Sequence, residues 1–268
     1  KHMDWGPVRF QLRGVAADRF ALFRSQPLKH IRELNLEIDY LKMASKDKQY
    51  SFELQKIRIN SFHKNLLIER ASVDPALGEA AFAAHYSFQK DRFDASMKSI
   101  SLDGIEMENI FNNKLIASKL TIKNTSLKIF RDLNKPLEDK RKVGNYPSQM
   151  LEQLDFPIWI KEASLPNTYV EYREKQVNSG KTGTVSFNNS SLHITNITND
   201  KAAISAHNLL NIHFKTRVLK SIPMEGSFKF FLGKRSGEFI VKGKVGAFDA
   251  EELNPVSVPM ALIRMKAG

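Results

Sequence analysis

The chain has 268 residues, with 42% hydrophobic residues and a net charge of +12. That apolar share excludes global disorder, the absence of cysteine excludes disulfides and thiolate metal sites, and no apolar run approaches the ~20 residues of a membrane-spanning helix. The basic charge is spread evenly, and its densest run is only Lys140-Arg141-Lys142. This dispersion argues for a solvated, slightly basic surface and against a nucleic-acid interface, which requires a basic patch with interleaved aromatics.

Lys1-His2-Met3 reads as a cloning scar and is set aside, leaving 4–268 as one elongated β-rich domain. On that reading any native targeting or membrane segment lies upstream. The dominant signal is period-two alternation, which marks strands with one apolar face. Ile57 and Ile59 lead through a turn to Leu67 and Ile68. Asp74-Pro75 suits a helix start, with a helix over 76–86 weakened by Gly78, and a further turn or two of helix is expected at 105–111.

Leu120 and Ile122, then Asn124-Thr125-Ser126, then Leu127 and Ile129 predict a strand–turn–strand. The charged stretch 133–146 is expected as a long exposed loop and 147–154 as a short helix. Ile158 and Ile160 lead on to Val170 and Tyr172. Val185 and Phe187, a turn at Asn188-Asn189-Ser190, then Leu192 and Ile194 repeat the strand–turn–strand pattern. Phe228, Phe230 and Leu232, a turn at 233–237, then Phe239, Val241 and Val245 repeat it again. A further helix start is expected at 249–253, broken by Pro255 and Pro259. The expected architecture is mainly β: a curved, open or partly closed antiparallel sheet with a few short helices.

Three ordered stretches carry a resemblance. They are Asp91–Asp94 through Ile100–Ile105 to Leu120–Asp132, then Phe156–Ile160 through Val170–Arg173 to Gly183–Asn199, and then Gly226–Phe230, Gly237–Phe239 and Asp249–Ile263 with its Leu253-Asn254-Pro255. Together they resemble the AsmA-like proteins of Bacteroidetes-type bacteria over residues ~50–268. The resemblance implies a β-groove related to bridge-like lipid-transfer proteins, with an apolar inner face that shields acyl chains. It also implies a periplasmic body, anchored to the inner membrane in the full-length protein, and no catalytic residues. The implied partners are a phospholipid or other acyl lipid, a membrane reached through a segment missing from this sequence, and possibly envelope proteins. No cofactor and no nucleic acid are expected.

The alternating residues supply the candidate groove-facing set: Ile122, Leu127, Ile129, Val170, Val185, Phe187, Leu192, Ile194, Phe228, Phe230, Phe239 and Val241. The same alternation fits an ordinary sandwich or barrel core. Basic residues at the groove rim are candidates for anionic head groups. A second reading is a non-enzymatic assembly factor in outer-membrane biogenesis that binds proteins through exposed sheet edges.

Catalytic signals are missing. The histidines form no zinc-binding pair, and His193 between Leu192 and Ile194 is expected to face solvent. Gly180-Lys181-Thr182 lacks the first glycine and following helix of a phosphate loop, so Gly180 and Gly183 read as turn residues. There is no nucleophile elbow. Glu106 and Glu108, and Glu251 and Glu252, read as solvated acids at helix starts.

Overall fold

The structure is a computed structural model that describes residues 3–15, 31–110, 112–137, 147–234 and 236–266. Twelve strands form one open sheet. They are β1 (Met3–Trp5), β2 (Val8–Val15), β3 (Ile31–Ala44), β4 (Tyr50–Asn60), β5 (Asn65–Pro75), β6 (Arg92–Asp103), β7 (Leu115–Asp132), β8 (Ile158–Lys175), β9 (Thr182–Thr198), β10 (Leu209–Val218), β11 (Ile222–Phe231) and β12 (Phe239–Val245). From β3 to β12 spatial order follows chain order, and β1 and β2 share the outer edge of β3. Neighbours are antiparallel except β7 and β8, which run parallel. The fold is therefore the expected mainly β, open sheet with a few short helices, and one parallel seam makes it mixed. Among the described residues all twelve strands lie in the same sheet, which is not closed, so the sandwich and the closed barrel are both set aside.

The hairpin β4–β5, turning at 61–64, and the hairpin β11–β12, turning between Phe231 and Phe239, stand where alternation put them. Two other expected turns are corrected. Asn124 lies inside β7 and Asn189 inside β9, each strand running straight through. The left-handed conformation is present at both, with φ of 51° and 49°. It forms β-bulges, where one extra residue interrupts alternation and bends the strand. Likewise Ile158 to Tyr172 is one strand, with its bulge at Pro166-Asn167 and Asn167 at φ 53°. A bulge is where a strand tolerates a proline without an amide hydrogen.

Helices gather at the two ends of the strands. At one end, called here the upper end, lie α2 (Met107–Ile110), α3 (Pro147–Glu152) and α4 (Lys201–Ala206). At the lower end lie α1 (Glu79–His85), a single 3-10 turn (Ala250–Leu253) and α5 (Asn254–Ala261). The helix expected over 76–86 starts later, because β5 runs on through Pro75. Helix α4 was not foreseen; its cap is Asp200, whose carboxylate accepts from the Ala203 amide at 2.9 Å. The start expected at 249–253 is present, and it carries a capping box that was not foreseen, with Asp249 and Glu252 each accepting from the other's backbone. Contrary to expectation, neither proline breaks α5: Pro255 falls in its first turn and Pro259 lies inside it. Phe111 and residues 138–146, including the Lys140–Lys142 run, lie outside the described residues.

The close-packed core is at the upper end. Leu102, Ile105, Ala117 and Ile160 form one buried cluster, packed by Met107 of α2. Leu210, Phe230 and Leu232 form another, packed by Ile204 of α4. At the lower end Phe82 of α1 is buried against Tyr50 and Tyr86. Met260 of α5 occupies the space where Gly183 has no side chain, so Gly183 is a contact point within β9 and not the expected turn residue. Gly180, at φ 63°, is the turn residue between β8 and β9.

Candidate functional site: a continuous apolar face

Pairing of the strands places apolar side chains in rows that run across the whole sheet. Leu36, Ile59, Leu66, Leu102 and Leu120 are successive partners from β3 to β7. Beyond the seam Ala163, Ile194, Ile212 and Phe228 continue the row, which Phe10 and Val241 complete at the two edges. One step toward the lower end, Ile38, Ile57, Ile68, Ile100 and Ile122 form an isoleucine ladder. Leu165, Leu192 and Phe214 form the corresponding row beyond the seam.

Below these rows the parity of the apolar positions changes in β3 to β9. A third row runs Met43, Phe52, Val73, Ala95, Leu127, Val170 and Phe187, and closes on Val218. Strand β10 settles which face this row occupies. It has no left-handed residue within it and pairs regularly with β11, so Ile212, Phe214 and Val218 share one face. Across the β9 bulge, Leu192 pairs with Phe214 and Phe187 pairs with Val218. The rows above and below the bulges are therefore on one face.

All twelve candidate residues from the sequence fall on this face. Ile122, Leu192, Ile194, Phe228 and Val241 belong to the two upper rows, and Leu127, Val170 and Phe187 to the lower one. Ile129 and Val185 flank Tyr172 one step further down. Phe230 and Phe239 are partners at the upper end of β11 and β12. The rings of Phe214, Phe228, Phe230 and Phe239 stand 5.6–6.0 Å apart in sequence across β10–β12. Gly226 makes room for this aromatic wall: a Cβ there would lie 2.7 Å from Phe214 Cζ.

The half of the face on β3 to β6 was missed. Its signal was present as Leu34, Leu36 and Ile38, then Leu41 and Met43, with the parity break at Asp39 concealing the alternation. Lys56, paired with Asp39 at 3.1 Å, has φ 54°, and Ser99 in β6 has φ 59°. These residues align with Asn124, Asn167 and Asn189 as one transverse line of irregularity.

Most central-row side chains are only partly buried, and the edge residues Phe10 and Val241 are 69% and 56% exposed. Among the described residues no second sheet lies over them. The opposite face is mostly polar: Glu37, Arg58, Ser101, Thr121, Ser164 and His193 occupy positions alternating with the apolar rows, with Leu67 of β5 the one apolar member of that row. His193 is half-exposed there, as expected, with Nδ1 3.7 Å from Glu162.

At the lower rim Arg131 and Arg173 already have acidic partners. Arg131 makes two hydrogen bonds of 2.6 Å to Asp91, and that carboxylate holds its guanidinium proton more firmly than usual. Arg173 pairs with Glu79. Tyr169 donates to Glu171 at 2.6 Å; burial first, and then that carboxylate, pushes the phenol up to about 12. Burial and Glu174 push Tyr172 up in the same way. Both phenols stay protonated donors, which suits structure and not proton transfer. Among the described residues no three His, Asp or Glu side chains converge as a metal site, and no helix is long and apolar enough to cross a membrane. No family model and no curated protein matches the sequence.

Proposed function

We propose that the protein binds acyl lipid along the apolar face of its sheet, without chemistry, as a carrier or conduit in a Gram-negative cell envelope. The observation that carries this reading is the set of apolar rows spanning β2 to β12 with no second sheet over them among the described residues. An amphipathic sheet must cover its apolar face with another layer or with a ligand. Each methylene moved from water onto that face contributes about 0.8 kcal/mol, so one acyl chain suffices for measurable binding. The periplasmic setting and the inner-membrane anchor rest on the AsmA-like resemblance.

Native mass spectrometry of the purified chain, with solvent extraction of the same sample, tests the reading. Stoichiometric phospholipid or fatty acid is expected, and Ile122→Glu with Ile194→Glu should abolish it. A lipid-free protein that also takes no lipid from vesicles would overturn the proposal. Protein binding by strand addition is the second reading, supported by the exposure of every residue of β2 and β12 at the sheet edges. It predicts that edge substitutions, and not substitutions on the apolar face, remove the activity.

A further inference from the structure

The polar face of β8–β12 is hollowed into an open depression of about 570 Å³. One row of partners crosses it: Ser164, His193, His213, Ser227 and Lys242, contributed by five successive strands. A second row brings Ser191, Lys215, Glu225 and Lys244. Between the rows the floor passes over the paired Gly226 and Gly243. Every polar group on the first row can donate a hydrogen bond outward.

The charge balance is cationic. Glu225 is the only acid among the lining residues, and it lies 3.8 Å from Lys215. Among the described residues no acid lies within ion-pair distance of Lys242 or Lys244. Beside the depression Glu162, near His193, is held by Lys119 at 3.3 Å, and Lys229 occupies the next position along β11. His193 and His213 are direct cross-strand partners. Two imidazoles set side by side repel when both are charged, unless an anion lies between them.

We propose that this depression is an oxyanion site that takes a phosphate-type group, held by His193, His213 and Lys242 and bound more tightly as the two histidines protonate. It lies on the face opposite the apolar rows, so it operates independently of acyl binding. Imidazole changes charge between about pH 5 and pH 8, and charge-assisted hydrogen bonds to an oxyanion are the strong ones.

The test uses the full chain with inorganic sulfate, which keeps its two charges across that range. Imidazole NMR resonances of His193 and His213 should shift saturably. Affinity should be tighter at about pH 5 than at about pH 8, since charge-assisted hydrogen bonds to an oxyanion are the stronger ones. His193→Gln with His213→Gln should remove the pH dependence, and the corresponding Thr pair, which suits a strand, guards against a folding defect in the first. Lys242→Gln with Lys244→Gln should weaken binding at both pH values. Shifts that do not saturate, or that survive the lysine substitutions undiminished, would overturn the site, as would unchanged sulfate affinity in the histidine variants. Vesicles of phosphatidic acid against phosphatidylcholine distinguish the source: sulfate-competed sedimentation with the acidic vesicles assigns a lipid head group. Sulfate binding without sedimentation assigns a small soluble anion. Loss of sulfate binding with acyl uptake intact rejects this site alone.

Discussion

Strands β3–β9 and β10–β12 build one apolar face by two different routes. The last three strands do it by plain alternation, reinforced by four phenylalanine rings. In β4 and β6 to β9 a left-handed residue interrupts each strand at a common level, and the apolar parity changes there. An extra residue moves the hydrophobic set to the other parity so that it stays on the same face. The lesson is that an amphipathic strand need not keep one parity along its length, since a bulge returns the shifted positions to the same face even beside a regular neighbour such as β10.

That contrast can be broken by experiment, beginning with packing. Phe230→Ala, in the buried upper cluster, should cost about 3–5 kcal/mol, whereas Leu192→Ala on the partly exposed central face should cost clearly less. Urea unfolding of both variants decides it, and equal losses would mean that the centre is as close-packed as the upper end. The bulges come next. Val in place of Asn124, Asn167 or Asn189 should cost about 1–3 kcal/mol each, because a β-branched residue resists positive φ. Gly at the same sites should stay within about 0.5 kcal/mol of the parent, as should Lys229→Val in regular β11.

Asp200→Ala should remove about 1 kcal/mol from the upper end. The Lys114 hydrogen bond, and then the Ala203 amide, hold the Asp200 carboxyl below the usual carboxylate range. A lowered folded-state value means that its contribution is complete above the unfolded value and lost as pH falls through the folded one. The difference between parent and variant should therefore shrink on acidification through the carboxylate range, as thermal melts across pH would record. Smallest of all, Val241→Gln at the exposed edge should change stability by less than about 0.5 kcal/mol. A measurable fall in acyl uptake by the same variant would separate ligand contact from folding.

The fold class was legible because alternation survives in short stretches on either side of each bulge. The number of strands was not. Asn with a hydrogen-bonding neighbour is compatible with a turn or a bulge, since both use positive φ. Local sequence at Asn124-Thr125-Ser126 and Asn188-Asn189-Ser190 therefore does not say whether the chain reverses or merely bends. What separates the outcomes is the neighbour: β8 continues past its own bulge and pairs with β7 and β9 on both sides of theirs, which holds those strands in the sheet. The candidate face was legible on β7–β12, where the apolar residues are conspicuous. On β3 it was concealed by Asp39 and Tyr40 at the parity break. The depression on the polar face had no sequence signal beyond His193, because it depends on His213 arriving beside it from another strand.

The parallel seam between β7 and β8 has a kinetic consequence. Antiparallel neighbours within β3–β7 and within β8–β12 are consecutive in the chain and can form by local closure. Pairing across the seam joins residues 115–132 to 158–175, about forty positions apart, and closes only when the connection through 133–157 has been laid down. Ribosomal synthesis completes the first meander before the second emerges. The edge of β7 thus waits exposed, as the template on which the second half of the sheet assembles, and refolding from denaturant should be limited by this docking.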